Sequence, residues 1–173
     1  GDKKLSEQAL KSANAAYKSW RKVPTDERAE CLEKFADLME ANRNELIALC
    51  SVEAGKGLQD GIDEVREAVD FCRYYANQAR ELMGGPIQLP GPTGEDNELF
   101  VEGRGTFICI SPWNFPLAIF VGQVAAALVT GNSVIAKPAE QTGLIAYRAV
   151  QLALEAGIPG NVLHFMPGSG AEV

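Results

Sequence analysis

The sequence predicts an α/β chain in which a run of helices leads into a partial parallel sheet of βαβαβ order. Three observations carry this. Apolar residues recur at helical spacing from Leu5 to Met83. After Gly105 the pattern changes, and short β-rich runs alternate with longer apolar helical ones. Two turns bearing polar side chains, Ser111-Pro112-Trp113-Asn114-Phe115-Pro116 and Lys137-Pro138-Ala139-Glu140, close successive predicted strands.

The helices come first, over residues 1–85. Leu5, Ala9, Ala13, Ala16 and Trp20 lie on one face of the first. Val23-Pro24-Thr25 breaks the pattern, and Thr25 is placed to cap the next helix, with Asp26 and Glu27 in its first turn, where the helix dipole favours anions. Cys31, Leu32, Phe35, Leu38 and Met39 form that helix's apolar side. A shorter helix from Arg43 ends at Gly55, a residue suited to the left-handed position after a helix. Ile62, Val65, Val69, Cys72, Ala76, Ala79 and Met83 then make the cleanest amphipathic stripe of the chain, stopped by Gly84-Gly85-Pro86.

Residues 86–104 read as a Pro- and Gly-rich loop followed by a hairpin. Its strands are Leu99-Phe100-Val101 and Thr106 to Ile110, joined through Glu102-Gly103-Arg104-Gly105. From 105 to 173 the order is strand to Ile110, helix Leu117 to Val129, strand Ser133 to Ala136, helix Leu144 to Ala156, strand Val162 to Met166. Gly131-Asn132 and Gly157-Ile158-Pro159 are the helix stops. Right-handed crossovers make these three strands parallel neighbours, one half of a doubly wound, Rossmann-like sheet.

Composition narrows the function classes. The 173 residues are 46% hydrophobic and 23% charged, ordinary values for a globular domain. A net charge of −7, with no basic cluster longer than a lysine pair, argues against nucleic acid or an anionic membrane as partner. No apolar run is long enough to span a bilayer. The opening Gly1-Asp2-Lys3-Lys4 runs into an amphipathic helix and reads as an excised segment. The four cysteines have no Cys-x-x-Cys spacing and stand beside a single histidine, which suits a reducing cytoplasm and neither zinc nor a disulfide framework.

Polar groups at the carboxyl edge of a parallel sheet stand where such sheets bind nucleotides and substrates. Asn114 before an apolar helix can cap that helix, or its amide can donate to a developing negative charge. Lys137 and Glu140 can hold the paired hydroxyls of a ribose, donor and acceptor respectively, or be incidental charges of an exposed turn. Gly168-Ser169-Gly170 after the last strand permits close approach to phosphate, a weak signal alone, and no Gly-x-Gly-x-x-Gly occurs. Cys31, Cys50, Cys72 and Cys109 lie at packing positions, and His164 alternates within a strand, so none of these reads as catalytic.

Trp-Asn-Phe-Pro after one strand and Lys-Pro-Ala-Glu after the next resemble the aldehyde dehydrogenase superfamily. Arg104 to Gly157 is most similar to its Δ1-pyrroline-5-carboxylate (L-glutamate γ-semialdehyde) dehydrogenase branch, as found in bifunctional bacterial proline-utilization flavoproteins. The resemblance extends more weakly to the N-terminus. It implies a truncated NAD-binding domain whose parent oxidises glutamate semialdehyde to glutamate, with FAD bound in a part of the parent not represented here. It also implies roles. Asn114 helps hold the oxyanion. Lys137 and Glu140 hold the adenosine ribose, with Ala139 beside them, and Glu140 favours NAD over NADP because a carboxylate repels a 2′-phosphate. Backbone groups of Ile110, Ser111, Pro112 and Trp113 line the nicotinamide side. Gly168 and Gly170 approach the phosphates, and Phe115 contacts the substrate or belongs to the core.

Family members place their nucleophilic cysteine and catalytic glutamate downstream of a segment like this one, so the chain alone is expected to be inactive. The parent is expected in the cytoplasm, or peripheral at the inner face of the membrane. Residues 86–104 resemble the family's oligomerisation flap. Two other readings stand beside this one: a non-catalytic nucleotide-binding module, and a self-associating fragment that pairs through the open sheet edge at Val162 to Met166 or through the hairpin.

Overall fold

The computed structural model describes residues 2–170. Helix α1 spans Lys3–Trp20, and its first turn is closed by Asp2, whose carboxylate accepts from the Leu5 N–H at 2.8 Å. Helices α2 (Thr25–Ala41), α3 (Arg43–Ala54) and α4 (Leu58–Met83) follow. Pro24, not Thr25, stands at the N-cap of α2. The Thr25 hydroxyl instead donates to the Met83 carbonyl at 2.9 Å, tying the start of α2 to the end of α4. A carbonyl at a helix end has no partner within its helix, so the hydroxyl does more there than on its own turn.

The loop-and-hairpin expectation needs correcting. Strand β1 (Ile87–Leu89) lies inside the segment read as loop, and it pairs antiparallel with β2 (Asn97–Leu99), Ile87 opposite Leu99. Residues 100–105 are a connection, and β2 forms no hairpin with the next strand. The reason is a close chain crossing. A Cβ on Gly103 would stand 2.6 Å from the Gly131 carbonyl oxygen. Gly103 also accepts from the Tyr17 hydroxyl. Pinned there, the connection cannot fold back along β2.

The parallel sheet keeps the predicted order. Strand β3 (Thr106–Ile110), helix α5 (Ala118–Val129), strand β4 (Ser133–Lys137), helix α6 (Gly143–Glu155) and strand β5 (Leu163–Phe165) form the βαβαβ unit, and the strands lie in the order β3-β4-β5. Thr106 pairs with Ser133 and Ile110 with Lys137, so the ends of β3 and β4 are level. The expected nucleotide-binding half runs to Val173, whose last three residues lie outside the described ones.

Both crossover helices end in the same hydrogen-bonded motif. Gly131 donates to Leu128 and Asn132 to Ala127; Gly157 donates to Leu154 and Ile158 to Ala153. Helix α1 covers one face of the sheet, where Ala9 and Ala13 meet Ile135 and Met166. The opposite face, with Val134, Ala136 and Leu163, shares one core with α5, α6 and the inner sides of α2 and α4. Phe120 and Leu128 are fully buried there, each contributing roughly 2 kcal/mol by leaving water. β4 is buried from end to end.

Candidate functional site at the carboxyl edge of the parallel sheet

Ser111 extends the ladder by one residue, its N–H donating to the Lys137 carbonyl at 3.1 Å, and it is buried. The chain then turns outward. Pro112 is half-buried, and Trp113, Asn114 and Phe115 are exposed before Pro116 and Leu117 return to the core. Helix α5 begins four residues after Asn114, so Asn114 does not cap it. Among the described residues, no hydrogen bond of the Asn114 side chain occurs. Its amide stands in solvent, available to a ligand.

The start of α5 has another partner. The Leu117 and Ala118 N–H groups donate to Glu64 Oε2 at 3.2 and 2.9 Å. Glu64 comes from α4 and is 2% exposed. Its Oε1 lies 2.9 Å from Lys56 Nζ, and Lys56 Nζ lies 4.3 Å from the centre of the Phe115 ring. The start of α6 is treated the same way: Leu144 and Ile145 donate to the Glu53 carboxylate at 2.9 and 2.8 Å. Both helix N-termini that face this edge are therefore already neutralised by carboxylates from the helical layer. Sequence reading did not single out Lys56, Glu64 or Glu53. Glu64 had a signal: it lies three residues after Gly61 and four before Ala68, on the stripe of α4 that is buried.

Lys137 ends β4 and is 8% exposed. Its ammonium reaches the Pro138 carbonyl at 3.5 Å and forms no ion pair among the described residues. A buried cation is ordinarily paired, because removing it from water costs several kcal/mol. Ala139 is half-buried, and Glu140 is exposed at the start of a 3-10 turn, Glu140–Thr142. A buried donor and an exposed acceptor thus sit three residues apart, beside the free amide loop after β3. Ile110, at the level of Lys137, has an exposed side chain. Gly168 and Gly170 come after β5, and among the described residues a Cβ on Gly170 would meet nothing within 4 Å.

The thiols are not part of this edge chemistry. Burial pushes the Cys109 thiol up to about 11 and the Cys50 thiol up to about 12, and raises Cys72 and Cys31 as well. Thiolate is the nucleophilic form, so these cysteines are packing residues. His164 Nε2 is 3.1 Å from the Asn161 carbonyl oxygen, a satisfied strand-end histidine. No helix among the described residues is long and apolar enough to cross a membrane.

The model of the aldehyde dehydrogenase family matches residues 1–173. The chain belongs to the aldehyde dehydrogenase family. Its helices and three-stranded parallel sheet match the N-terminal portion of the aldehyde dehydrogenase fold. Among curated aldehyde dehydrogenase relatives, it is 44% identical over 172 residues to 1-pyrroline-5-carboxylate dehydrogenase of Anoxybacillus flavithermus, covering 99% of this chain and 33% of that protein. It is 48% identical over 167 residues to the bifunctional protein PutA of Escherichia coli, covering 96% of this chain and 12% of that protein. Among solved structures, proline utilization A of Bradyrhizobium japonicum superposes with a TM-score of 0.97 at 51% identity, over 99% of this chain and 18% of that one. An NAD-bound 1-pyrroline-5-carboxylate dehydrogenase from Thermus gives 0.93 at 39% identity, over 99% and 33%. The chain therefore spans at most about a third of the relatives it matches here.

Proposed function

We propose that this chain is the cofactor-side part of an NAD-dependent dehydrogenase that oxidises L-glutamate γ-semialdehyde, the open form of Δ1-pyrroline-5-carboxylate, to L-glutamate. One observation carries the cofactor reading: Lys137, a buried ammonium with no counter-ion among the described residues, stands at the carboxyl edge of a parallel sheet. The named relatives support the substrate, and the NAD-bound Thermus neighbour supports the cofactor.

On this reading Lys137 donates to the ribose hydroxyls and Glu140 accepts from them, with Ala139 packed beside. Backbone groups of Ile110, Ser111, Pro112 and Trp113 line the nicotinamide side, and Gly168 and Gly170 run near the phosphates. Bound NAD supplies the hydride acceptor. Asn114, whose amide has no partner among the described residues, donates to the oxyanion that forms when a thiolate attacks the aldehyde carbon. Phe115 flanks the substrate chain. The thiolate is not one of the four cysteines present, so these 173 residues alone produce no NADH from the semialdehyde. FAD belongs to a different part of a bifunctional parent, and the compartment is a reducing cytoplasm.

Calorimetric titration of NAD and NADP tests the reading, with Trp113 fluorescence as a second signal. NAD binds weakly but more tightly than NADP, and Lys137→Met weakens it further by at least about tenfold. Tighter NADP would remove Glu140 from its role. Turnover by the chain alone, at the rate of a complete enzyme, would overturn the assignment.

A second reading has its own observation. Strand β3 is a sheet edge whose Phe107, Ile108 and Ile110 are 42%, 63% and 62% exposed. On β5, the other edge, Leu163 is buried and Phe165 is half-buried against Tyr147. We propose that the isolated chain self-associates, and that β3, rather than the last strand, is the pairing edge. Ile108→Lys should shift light scattering toward monomer. A strictly monomeric wild-type chain at high concentration would end this reading.

A further inference from the structure

We infer that Lys56 is a positioning residue for the Trp113–Phe115 loop. The inference rests on the reading of that loop as part of the cofactor and substrate site. Lys56 is far from the loop in sequence and sits between α3 and α4. Gly55 precedes it with φ 66°, a left-handed backbone that ends α3 and turns Lys56 inward. The Lys56 side chain is 15% exposed.

Its ammonium meets two groups with different jobs. At 2.9 Å it pairs with Glu64 Oε1, while the other oxygen of that carboxylate holds the first N–H groups of α5. At 4.3 Å it faces the Phe115 ring, a cation–π distance. One cation thus fixes both ends of the segment between Phe115 and Ala118: the ring directly, the helix start through the carboxylate. Asn114 and Trp113 hang on that segment with no bond of their own through the Asn114 side chain. Without Lys56, Glu64 would be a nearly buried carboxylate answered only by two backbone N–H groups. The Phe115 ring, already 40% exposed, would lose its only charged contact among those described.

The test uses the 173-residue chain and needs no cofactor. Hydrogen exchange reads the Leu117 and Ala118 amides, and iodide quenching reads Trp113, since Trp20 is buried at 4% exposure. Lys56→Met is expected to speed exchange of those two amides about tenfold and to increase Trp113 quenching, the size expected for loss of a charge-assisted contact. Lys56→Arg, which keeps the cation and its reach, is expected to restore both. Unchanged exchange and quenching in Lys56→Met would overturn the proposal. So would a Lys56→Arg variant as loose as the methionine one, or faster exchange spread evenly through α2 and α4, which would mark general destabilisation. Loss of NAD binding in a Lys137 variant bears only on the cofactor reading, so the two can fail separately.

Discussion

The two ends of the parallel sheet are built from the same kinds of residue and treated in opposite ways. At the amino end, polar groups are bonded into the frame. Asn132 Oδ1 accepts from Arg104 and Gly105 N–H at 2.6 and 2.9 Å, and Asn132 Nδ2 donates to Thr130 Oγ1 at 2.9 Å. Trp20 Nε1 donates to Leu128 O and Arg28 Nε to Val129 O, both at 2.9 Å, closing the last turn of α5. Arg28 also reaches Val23 O and Thr25 Oγ1. At the carboxyl end, among the described residues, the Asn114 amide has no hydrogen bond and Lys137 no ion pair, only a 3.5 Å contact with the Pro138 carbonyl. An asparagine bonded on all sides holds a structure together; one with free valences can hold something else. Burial alone does not separate the two ends, since Lys137 and Asn132 are both nearly inaccessible. Hydrogen-bond satisfaction does.

The sharpest way to break this comparison is to remove a bonded group. Arg28→Ala should destabilise the chain by about 3 kcal/mol, because it strips a buried cation from the carbonyls it satisfies. Burial pulls its pKa below the ordinary arginine value, and Val129 O, Val23 O and Thr25 Oγ1 accept from the guanidinium. Urea denaturation measures the loss, and a change within error would mean that the amino end is not the anchored one. Asn132→Ala should cost about 2 kcal/mol by leaving the Arg104 and Gly105 N–H groups unpaired. The carboxyl end should behave otherwise. Lys137→Met should weaken NAD by at least about tenfold, or ~1.4 kcal/mol, with no loss of thermal stability. A lower Tm would make Lys137 part of the frame. Asn114→Ala should change stability by less than about 0.5 kcal/mol. A larger drop would show that its amide has a structural partner.

The smallest effect belongs to the helical layer behind both ends. Arg80 on α4 binds Glu33 at 2.5 and 2.9 Å and Asp26 at 2.6 Å. The Arg80 hydrogen bond is the main cause that holds the Glu33 carboxyl below its ordinary 4.5. A depressed folded-state pKa contributes stability above the unfolded value, and that stability is lost as pH falls through the folded one. Denaturation monitored downward from pH 5 should therefore show a small decline that Glu33→Gln removes. Glu33 is 41% exposed on its side chain, so solvent screening keeps the effect slight. An equal decline in the variant would assign it to other carboxylates.

Legibility in the sequence depended on distance along the chain. The βαβαβ order could be read because each crossover helix carries its own stop, Gly131-Asn132 and Gly157-Ile158, a few residues before its strand. Asn114 and Lys137 could be picked out because each closes its strand in sequence. The β1–β2 pair was missed: three-residue strands carry too little alternation to see, and the close approach of Gly103 to Gly131, which holds the connection between β2 and β3, joins residues 28 apart in sequence. Glu64 and Lys56 were missed for a related reason. Glu64 meets the start of α5 from 53 residues away, and no local pattern encodes that meeting.

The two-ended capping of α5 also bears on the order of folding. The helix has twelve residues and no charged side chain, too short to persist alone in water. Its front cap is Glu64 and its rear cap is Arg28, and both are made earlier in synthesis than α5 itself. As the chain leaves the ribosome, α2 and α4 can dock on each other before the first residue of α5 appears, since amino-terminal parts fold first. The helix then emerges into a cradle with a carboxylate waiting at one end and a guanidinium at the other. Circular permutation that moves α1–α4 behind β5 would remove that head start. Its refolding rate from denaturant should change little, while its yield during translation should fall.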